Sequence, residues 1–456
     1  MTDAGADGLR ERVHALMPPL TRDLEELVAV AGVSARGYPV ETREQLLAAH
    51  DLVTRHLEEA GCTVTSIELP DTAPALVGEI AAPPGAPTVL MYSHYDVVPA
   101  GPEDLWATPP FEPTLKDGAL HGRGTADSKG NIAAVVGALR AWDGRPPVGV
   151  KVVVDGMEEV GGGAFTTYPL EDPARFASDV VLVADMGNLR PGVPTLTVAL
   201  RGMANVVVEV RTLASAKHSG QYGGAAPDAL LVLLRALGSL HDEVGDVAVP
   251  GLRRDPWTGG GPDDEEFRRL AEVVDGVPLM GSGGIGTRVW SGPAITVIGL
   301  DVAPVDAALN AVVPYARAKL NVRVHPSQDP VEAQDAVVRH LREVRPFGIT
   351  IEVRAQETGH GYAARVEGPV FEAARSAWSS AWGSPTVLGG AGGSIPVVQS
   401  LHAALPAAEI VLGGVADGYA NIHGPNERVL LDEVERTTVA TAELLGRLAA
   451  AREVPA

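Results

Sequence analysis

Unbroken apolar runs separated by helical segments constrain the fold of this chain most strongly. Four runs rich in Val and Leu lack the alternation of a half-exposed strand, and such runs suit a sheet that is covered on both faces. A helix is predicted between the first two runs, over residues 131–142. Strands that alternate with helices indicate an α/β layer with a largely parallel sheet. The four runs are residues 87–92, 148–154, 179–184 and 196–200.

A different pattern follows residue 200. In residues 316–324 apolar side chains alternate with Arg, Lys and Asn, which predicts a strand with one solvent-facing side. Residues 205–212 are also predicted to form a strand, and the predicted helical stretches at 227–240 and 330–344 each open with proline. This is the order of a small α+β sandwich. We therefore predict an α/β catalytic domain with a mostly parallel sheet, interrupted by an inserted α+β lid and dimerisation domain, over 1–200, 201–364 and 365–456.

The charge and the cysteine content exclude several classes of function. The 456 residues include 58 Asp and Glu against 36 Lys and Arg, a net charge of −22. Such a surface repels phosphate backbones and anionic lipids, so we expect no nucleic-acid or membrane partner. No targeting signal or membrane-spanning run is visible, which predicts a cytoplasmic protein. Cys62 is the only cysteine and is predicted to be a core residue rather than a nucleophile.

Histidine and carboxylate residues come directly after the predicted strands. His94 and Asp96 follow the first run and Asp185 follows the third. Glu158 and Glu159 follow the second. Because the ligand crevice of an open α/β sheet lies beyond the carboxyl ends of its strands, these side chains are predicted to share one rim. Crowded carboxylates need a cation, and a mixed set of imidazoles and carboxylates suits zinc, manganese or cobalt. The alternative is that each acid caps a helix or faces solvent.

Five elements of sequence carry a resemblance to a known family. They are SHYDVVP (93–99), GRGTADSKG (122–130), MEEVG (157–161), Asp185 and IHGPNE (422–427). In this order, over nearly the whole chain, they resemble the M20 metallopeptidases, which include carnosinase-like dipeptidases, aminoacylases and succinyl-diaminopimelate desuccinylase. A further segment, KHSGQYGG (217–224), is most similar to the carnosinase branch.

The resemblance implies a site for two divalent metal ions, with zinc expected and manganese or cobalt as alternatives. Asp127 would bridge the ions. His94 and Asp185 would complete the first metal site, and Glu159 and His423 would complete the second. The implied reaction is hydrolysis of an amide bond in a small peptide or an N-acyl amino acid.

Three further residues are implied in catalysis. Glu158 would be the general base for a water that bridges the metals. His218 would donate to the oxyanion from the other subunit of a homodimer joined through the inserted domain, although an ordinary surface histidine is the alternative. Asp96 would orient His94 from the same face of the chain, or else be a simple turn residue. The family also has a cis peptide bond after its bridging aspartate, here Asp127–Ser128.

Substrate contacts are expected from the inserted domain and from a late glycine-rich loop. The resemblance implies roles for Arg323, Asn310, Gly393 and Ser394, with a solvated charge as the alternative for Arg323. The sequence differs from dipeptidases of this branch at one place, where Gly390 and Ala391 replace an arginine and an acid. This difference favours the rival function, a deacylase that acts on N-acyl amino acids or on a biosynthetic intermediate. A non-catalytic binding protein on the same scaffold is the second alternative.

Overall fold

The computed structural model describes residues 3–393 and 395–451. The chain divides into two compact units. The first comprises Met1–Val198, Ala364–Gly389 and Pro396–Ala456, and the second comprises Ala199–Ala363 and Gly390–Ile395. Among the described residues, none of the helices combines the length and the apolar character needed to span a bilayer.

The larger elements are numbered along the chain. The strands of the two larger sheets are β1 (Thr63–Ile67), β2 (Ala75–Ile80), β3 (Thr88–His94), β4 (Gly149–Asp155), β5 (Val180–Ala184), β6 (Thr195–Leu200), β7 (Gly202–Arg211), β8 (Ala294–Asp301), β9 (Tyr315–Val324), β10 (Glu352–Gly359), β11 (Tyr362–Ala363), β12 (Val387–Ala391) and β13 (Glu409–Gly413). The longer helices are α1 (Asp3–Ala29), α2 (Val40–Glu59), α3 (Gly130–Ala141), α4 (Ala229–Leu237), α5 (Pro330–Glu343), α6 (Pro369–Trp382), α7 (Pro396–Ala404) and α8 (Leu431–Ala451).

Short elements complete the description. Paired short strands lie at Thr114–Lys116, Ala119–His121, Gly187–Asn188, Lys217–His218, Ala311–Val312, Ala416–Asp417 and Arg428–Leu430. Short helices lie at Tyr168–Glu171, Pro173–Phe176, Ser219–Tyr222, Asp264–Leu270 and Ile285–Val289.

The sheet of the first unit is mixed, with parallel strands at its centre. Its order runs β1-β2-β4-β3-β5-β13-β6. β3 is parallel to β4 and β5, and β5 is parallel to β13. The predicted α/β class is confirmed. The fourth predicted strand is β6, and it runs antiparallel to β13 through the pair Leu412 and Thr197. Its apolar run therefore results from burial of the strand and does not indicate a parallel direction.

Burial on both faces explains the unbroken apolar runs. Every residue of β5 is buried, and β3 is buried from Val89 onwards. Helices α1, α3, α6 and α8 contribute Leu24, Leu139, Trp378 and Leu444 to the same core. Each of these four side chains is almost completely shielded from solvent. The core therefore holds the carboxyl ends of β3, β4 and β5 in fixed positions relative to one another.

Helix α1 is continuous through two prolines. Pro18 and Pro19 lie inside the Asp3–Ala29 helix and leave two backbone carbonyls without their usual N–H donors. The hydroxyl of Thr21 donates to the carbonyl of Met17 at 2.9 Å. Leu20 on the same helix is buried in the core. Packing of the apolar face outweighs the lost backbone hydrogen bonds.

The second unit is a four-stranded antiparallel sheet covered by helices on one face. The order is β8-β9-β7-β10. The alternation predicted for residues 316–324 is observed, because Ala316, Leu320 and Val324 are buried while Arg317 is exposed. Helices α4 and α5 pack on the buried face. The opposite face presents the polar side chains of β7 and β9.

Candidate metal centre

Three strand ends of the first unit deliver candidate ligands to one edge of the sheet. His94 is the last residue of β3, and Asp185 follows directly after β5. After β4 the chain leaves the strand and forms a 3-10 turn at Glu158–Val160. This turn allows Glu158 and Glu159 to point in different directions, which a regular strand would not.

Two loops supply the remaining candidates. Asp127 lies in the turn Thr125–Lys129 just before α3, and the Asp127–Ser128 peptide bond is cis, as the family resemblance predicts. His423 lies in the loop before Arg428–Leu430 and has a φ of 63°. Gly124, with a φ of 84°, could not carry a side chain, because a Cβ there would lie 2.6 Å from Cγ1 of Val97.

The carboxylate of Asp127 lies between the two imidazoles, with one oxygen toward each. Its Oδ1 is 2.9 Å from Nε2 of His94, and its Oδ2 is 3.1 Å from Nε2 of His423. Nε2 of His94 is also 3.2 Å from Oδ1 of Asp185. Nε2 of His423 is also 2.9 Å from Oε2 of Glu159. The five predicted ligands therefore form two groups that share Asp127.

The donor set fits divalent cations. Nδ1 of His94 lies 3.1 Å from the carbonyl oxygen of Asp96, which can only accept, so in a neutral ring Nε2 presents its lone pair to the carboxylates. Oε1 of Glu159 is buried and has no hydrogen-bond partner among the described residues. Single ligand atoms of His94, Asp127 and Glu159 all lie within 4.8 Å of one another. Lone pairs and anionic oxygens in such a volume require cations.

Asp96 connects the first imidazole to the glutamate turn. It is fully buried, and its carboxylate accepts from the backbone N–H of Glu158 at 3.1 Å and of Glu159 at 3.2 Å. Its Oδ1 lies 3.3 Å from Nδ1 of His94. Asp96 therefore fixes the direction of the two glutamates and contacts the ring of His94 on the side away from Asp127.

The pKa values of the acids are shifted because the carboxylates are buried close to one another. Burial raises the pKa of Glu158, Glu159 and Asp185 above the usual carboxyl range. Neighbouring carboxylates raise it further, because each added negative charge disfavours the next. Divalent cations would reverse this by stabilising the ionised carboxylates.

The pKa values of the two histidines and of the shared aspartate are instead shifted in the directions that favour their charged forms. Hydrogen bonds to Asp127 and Glu159 raise the pKa of His423 to about 10. Burial would lower the pKa of His94, but the carboxylates of Asp185 and Asp127 raise it well above its usual range. Burial opposes ionisation of Asp127, yet its hydrogen bonds with His423 and His94 hold its pKa well below the normal value. Metal binding at this site would therefore release protons.

The other predicted site residues belong to the second unit. His218 pairs with Ala311 in a two-stranded ribbon, and the N–H of Ser219 donates to the carbonyl of Asn310 at 2.9 Å, so the structure brings His218 and Asn310 together. Both are exposed. Gly393 is exposed in the loop after β12, and Ser394 lies outside the described residues.

Arg323 has a neighbour that the sequence interpretation missed. Arg201 precedes β7, lies on the same polar face of the sheet and is 8% exposed. Burial, followed by the charge of Arg323, lowers the pKa of Arg201 to about 10. Within the described part of the chain, neither guanidinium forms an ion pair with a carboxylate. The signal in the sequence was an arginine directly before a strand, which is too common to single out.

Gly390, which stands where related dipeptidases have a larger residue, is in close contact with a tryptophan of the second unit. A Cβ at position 390 would lie 2.6 Å from Cγ of Trp290. Trp290 is buried and packs edge to face against Trp257 at 5.2 Å. The tryptophan therefore occupies the space that a side chain at position 390 would need.

The fold and the site together define a metal-dependent hydrolase. The chain matches Peptidase family M20/M25/M40 over residues 90–447. It is 39% identical over 433 residues to the cysteinylglycine-S-conjugate dipeptidase of Corynebacterium striatum, covering 93% of this chain and 94% of that protein. It is 28% identical to the Beta-Ala-His dipeptidase of Rattus norvegicus, covering 89% and 88%. The chain therefore belongs to peptidase family M20/M25/M40.

Solved structures agree with this fold. The dipeptidase Dug1p from Saccharomyces cerevisiae superposes with a TM-score of 0.81 at 21% identity and covers 100% of both chains. Human carnosine dipeptidase 1 superposes with a TM-score of 0.76 at 24% identity and covers 98% of this chain and 100% of that chain.

These findings confirm the predicted enzyme class. The protein is a metallopeptidase that hydrolyses small peptides. The named relatives are dipeptidases, so the deacylase and the non-catalytic binding protein are not favoured.

Proposed function

We propose that this protein is a dipeptidase that uses two zinc ions. Asp127 would be shared by both ions, with His94 and Asp185 on one side and Glu159 and His423 on the other. The observation that carries the proposal is the position of the Asp127 carboxylate, whose two oxygens lie 2.9 Å and 3.1 Å from the Nε2 atoms of two different histidines. When bound, two divalent ions lower the pKa of water and polarise a scissile carbonyl.

The protein groups would carry out the proton transfers. Glu158 would take a proton from the attacking water and deliver it to the leaving amine. Its backbone N–H is held by the buried carboxylate of Asp96, which fixes the turn from which the Glu158 side chain extends. His218 would donate a hydrogen bond to the oxyanion. The exposed position of His218 on a short ribbon leaves its ring free to contact a substrate or a second subunit.

The terminal carboxylate of a dipeptide would be recognised by arginine. Arg323 and Arg201 are partly or largely buried, and the described residues give them no carboxylate partner, which leaves two positive charges to be neutralised by a ligand. Gly393 and Ser394 would add donors from the loop, and Asn310 would contribute a polar contact. Among dipeptides, S-substituted cysteinylglycine compounds are the first candidates, because the relative at 39% identity is named for them.

The second unit would also form a homodimer, through β8. The strand Ala294–Asp301 lies at one edge of the four-stranded sheet and exposes Val297, Ile298 and Leu300. The opposite edge, β10, instead carries charged residues such as Glu352 and Arg354, which protect an edge from pairing. An apolar unprotected edge suits antiparallel pairing with a second copy of the same strand.

One experiment tests the proposed activity against its rival. Chelator-treated protein would be assayed with unblocked dipeptides, including S-substituted Cys-Gly, and in parallel with N-acetyl amino acids, before and after zinc is restored. We expect zinc-dependent release of free amino acids from the dipeptides and little turnover of the acylated compounds. Preferential hydrolysis of the acylated compounds would overturn the dipeptidase assignment, and full activity without metal would overturn the metal assignment.

A further inference from the structure

Glu427 is not one of the proposed metal ligands, yet its carboxylate accepts hydrogen bonds from the turn that carries Asp127. It is fully buried in the first unit, four residues after His423. Its Oε1 accepts from the backbone N–H groups of Ala126 and Asp127, at 3.0 Å and 3.2 Å. Its Oε2 accepts from the backbone N–H of Gly124 at 3.0 Å and from Nη1 of Arg123 at 2.6 Å. Each oxygen thus has two donors, so Glu427 has no remaining role as a metal ligand.

The backbone contacts join the same two segments. The carbonyl of Glu427 accepts from the N–H of Gly122 at 3.0 Å. The next residue, Arg428, opens a short strand that pairs with Ala119–His121. The segment that carries His423 and the turn that carries Asp127 are therefore fastened to each other at and beside Glu427.

The charge of Glu427 is compensated locally. Arg123 is 1% exposed, and its guanidinium carbon lies 5.2 Å from the centre of the Trp106 ring. Trp106 is itself buried. A buried carboxylate with one buried guanidinium and three backbone donors is a fully satisfied anion, and it can hold its surroundings rigidly because any displacement would leave donors without acceptors.

We propose that Glu427 is a positioning residue for the metal centre, which sets the orientation of the Asp127 carboxylate and its distance from His423. The inference rests on the proposed dinuclear site. It extends that site by one residue that binds no metal and contacts no substrate. Without Oε1 as the acceptor for the N–H groups of Ala126 and Asp127, the backbone of Asp127 could rotate, and its two carboxylate oxygens would no longer face the two imidazoles at the same time.

Glu427→Gln is the direct test, because the change retains size but replaces one oxygen by a donor. That donor would face two N–H groups, so half of the contacts would be lost. Arg123→Met combined with Glu427→Gln gives a second variant without a stranded buried charge, in case the single variant does not fold. Each purified variant would be titrated with Zn²⁺ against a chelator, and its Co²⁺ form would be examined by visible absorption well below the unfolding temperature.

Glu433→Gln is the matched control. Glu433 is 1% exposed and accepts from the backbone N–H of Gly192 at 2.8 Å and from Nε1 of Trp382 at 3.2 Å, but none of its partners is a candidate ligand. Its loss should lower stability in the same way while leaving the metal centre intact.

We expect the Glu427 variants to bind Zn²⁺ about 10- to 100-fold more weakly and to show an altered Co²⁺ spectrum. The Glu433 variant should bind within about twofold of the parent, as expected for a residue without contact to the ligands. Unchanged affinity and spectrum in a folded Glu427 variant would overturn the inference, and so would an equal loss in the Glu433 variant. Failure of the parent protein to bind Zn²⁺ at all would overturn the proposed function first.

Discussion

At the scale of single residues, the chemistry depends on two adjacent glutamates in different environments. Oε2 of Glu159 lies 2.9 Å from Nε2 of His423, and its other oxygen is buried without a partner in the part of the chain that the structure describes. Glu158 forms no such contact with either imidazole, and burial raises its pKa. One glutamate therefore suits metal binding, and the other suits proton transfer.

Replacing Glu158 by Gln separates these two functions. The amide retains the size of the side chain but cannot take a proton, so we expect kcat to fall by about 10²- to 10⁴-fold. Zinc content should stay at the parent level, because Glu158 is not one of the proposed ligands. Steady-state kinetics and metal analysis of the same preparation check both statements. Retained activity would show that another group acts as the base.

Cys62 gives a second test at this scale. It is 7% exposed, and burial raises its thiol pKa to about 12, against 9.0 for an exposed thiol. At pH 8 the native protein therefore contains almost no thiolate, whereas the unfolded chain contains an appreciable fraction. A disulfide reagent should modify Cys62 rapidly only after denaturation. Fast labelling of the native protein at pH 8 would contradict the buried position.

At the scale of elements, the sequence predicted β3, β4, β5 and β6, because burial on both faces produces unbroken apolar runs, but it gave no bounds for β1, β2 or β13. It also predicted which residues follow the strands, and five of those, from His94 to Asp185, lie at one sheet edge in the structure. It did not predict the antiparallel direction of β6, since an apolar run carries no information on direction. It assigned no role to Glu427, the last residue of the IHGPNE segment, because the sequence does not show that this carboxylate is buried and binds backbone N–H groups.

Helix α4 allows a matched test of packing in the second unit. Leu233 is fully buried, whereas the next residue, Leu234, is 50% exposed. Leu233→Ala should lower the free energy of unfolding by about 2–5 kcal/mol, because it leaves a cavity in the core of the unit. Leu234→Ala should change it by no more than about 0.5 kcal/mol. Denaturant unfolding of both variants checks the difference, and equal effects would contradict the packing of α4.

At the scale of the whole molecule, the two edge strands of the second sheet are expected to differ in their role in dimerisation. Ile298 lies on the apolar edge strand β8 and is 54% exposed. A lysine there should oppose strand pairing between two copies, so Ile298→Lys should convert a dimer into a monomer. Gln356→Lys on the opposite edge strand β10 is the control and should leave the dimer intact.

Light scattering after size-exclusion chromatography gives the mass directly. The parent and the Gln356 variant should have twice the chain mass of 47.3 kDa, and the Ile298 variant should have the single mass. A monomeric parent protein, or a dimer that is lost only in the Gln356 variant, would contradict dimerisation through β8.

In the proposed metal centre one carboxylate, that of Asp127, is shared by two cations. Calorimetric titration of chelator-treated protein with Zn²⁺ measures this most directly, with Asp127→Asn as the comparison. Two equivalents of zinc per chain are expected for the parent, and binding at both positions should weaken in the variant. A single equivalent in the parent, or a variant that still binds two ions with parental affinity, would contradict the shared site.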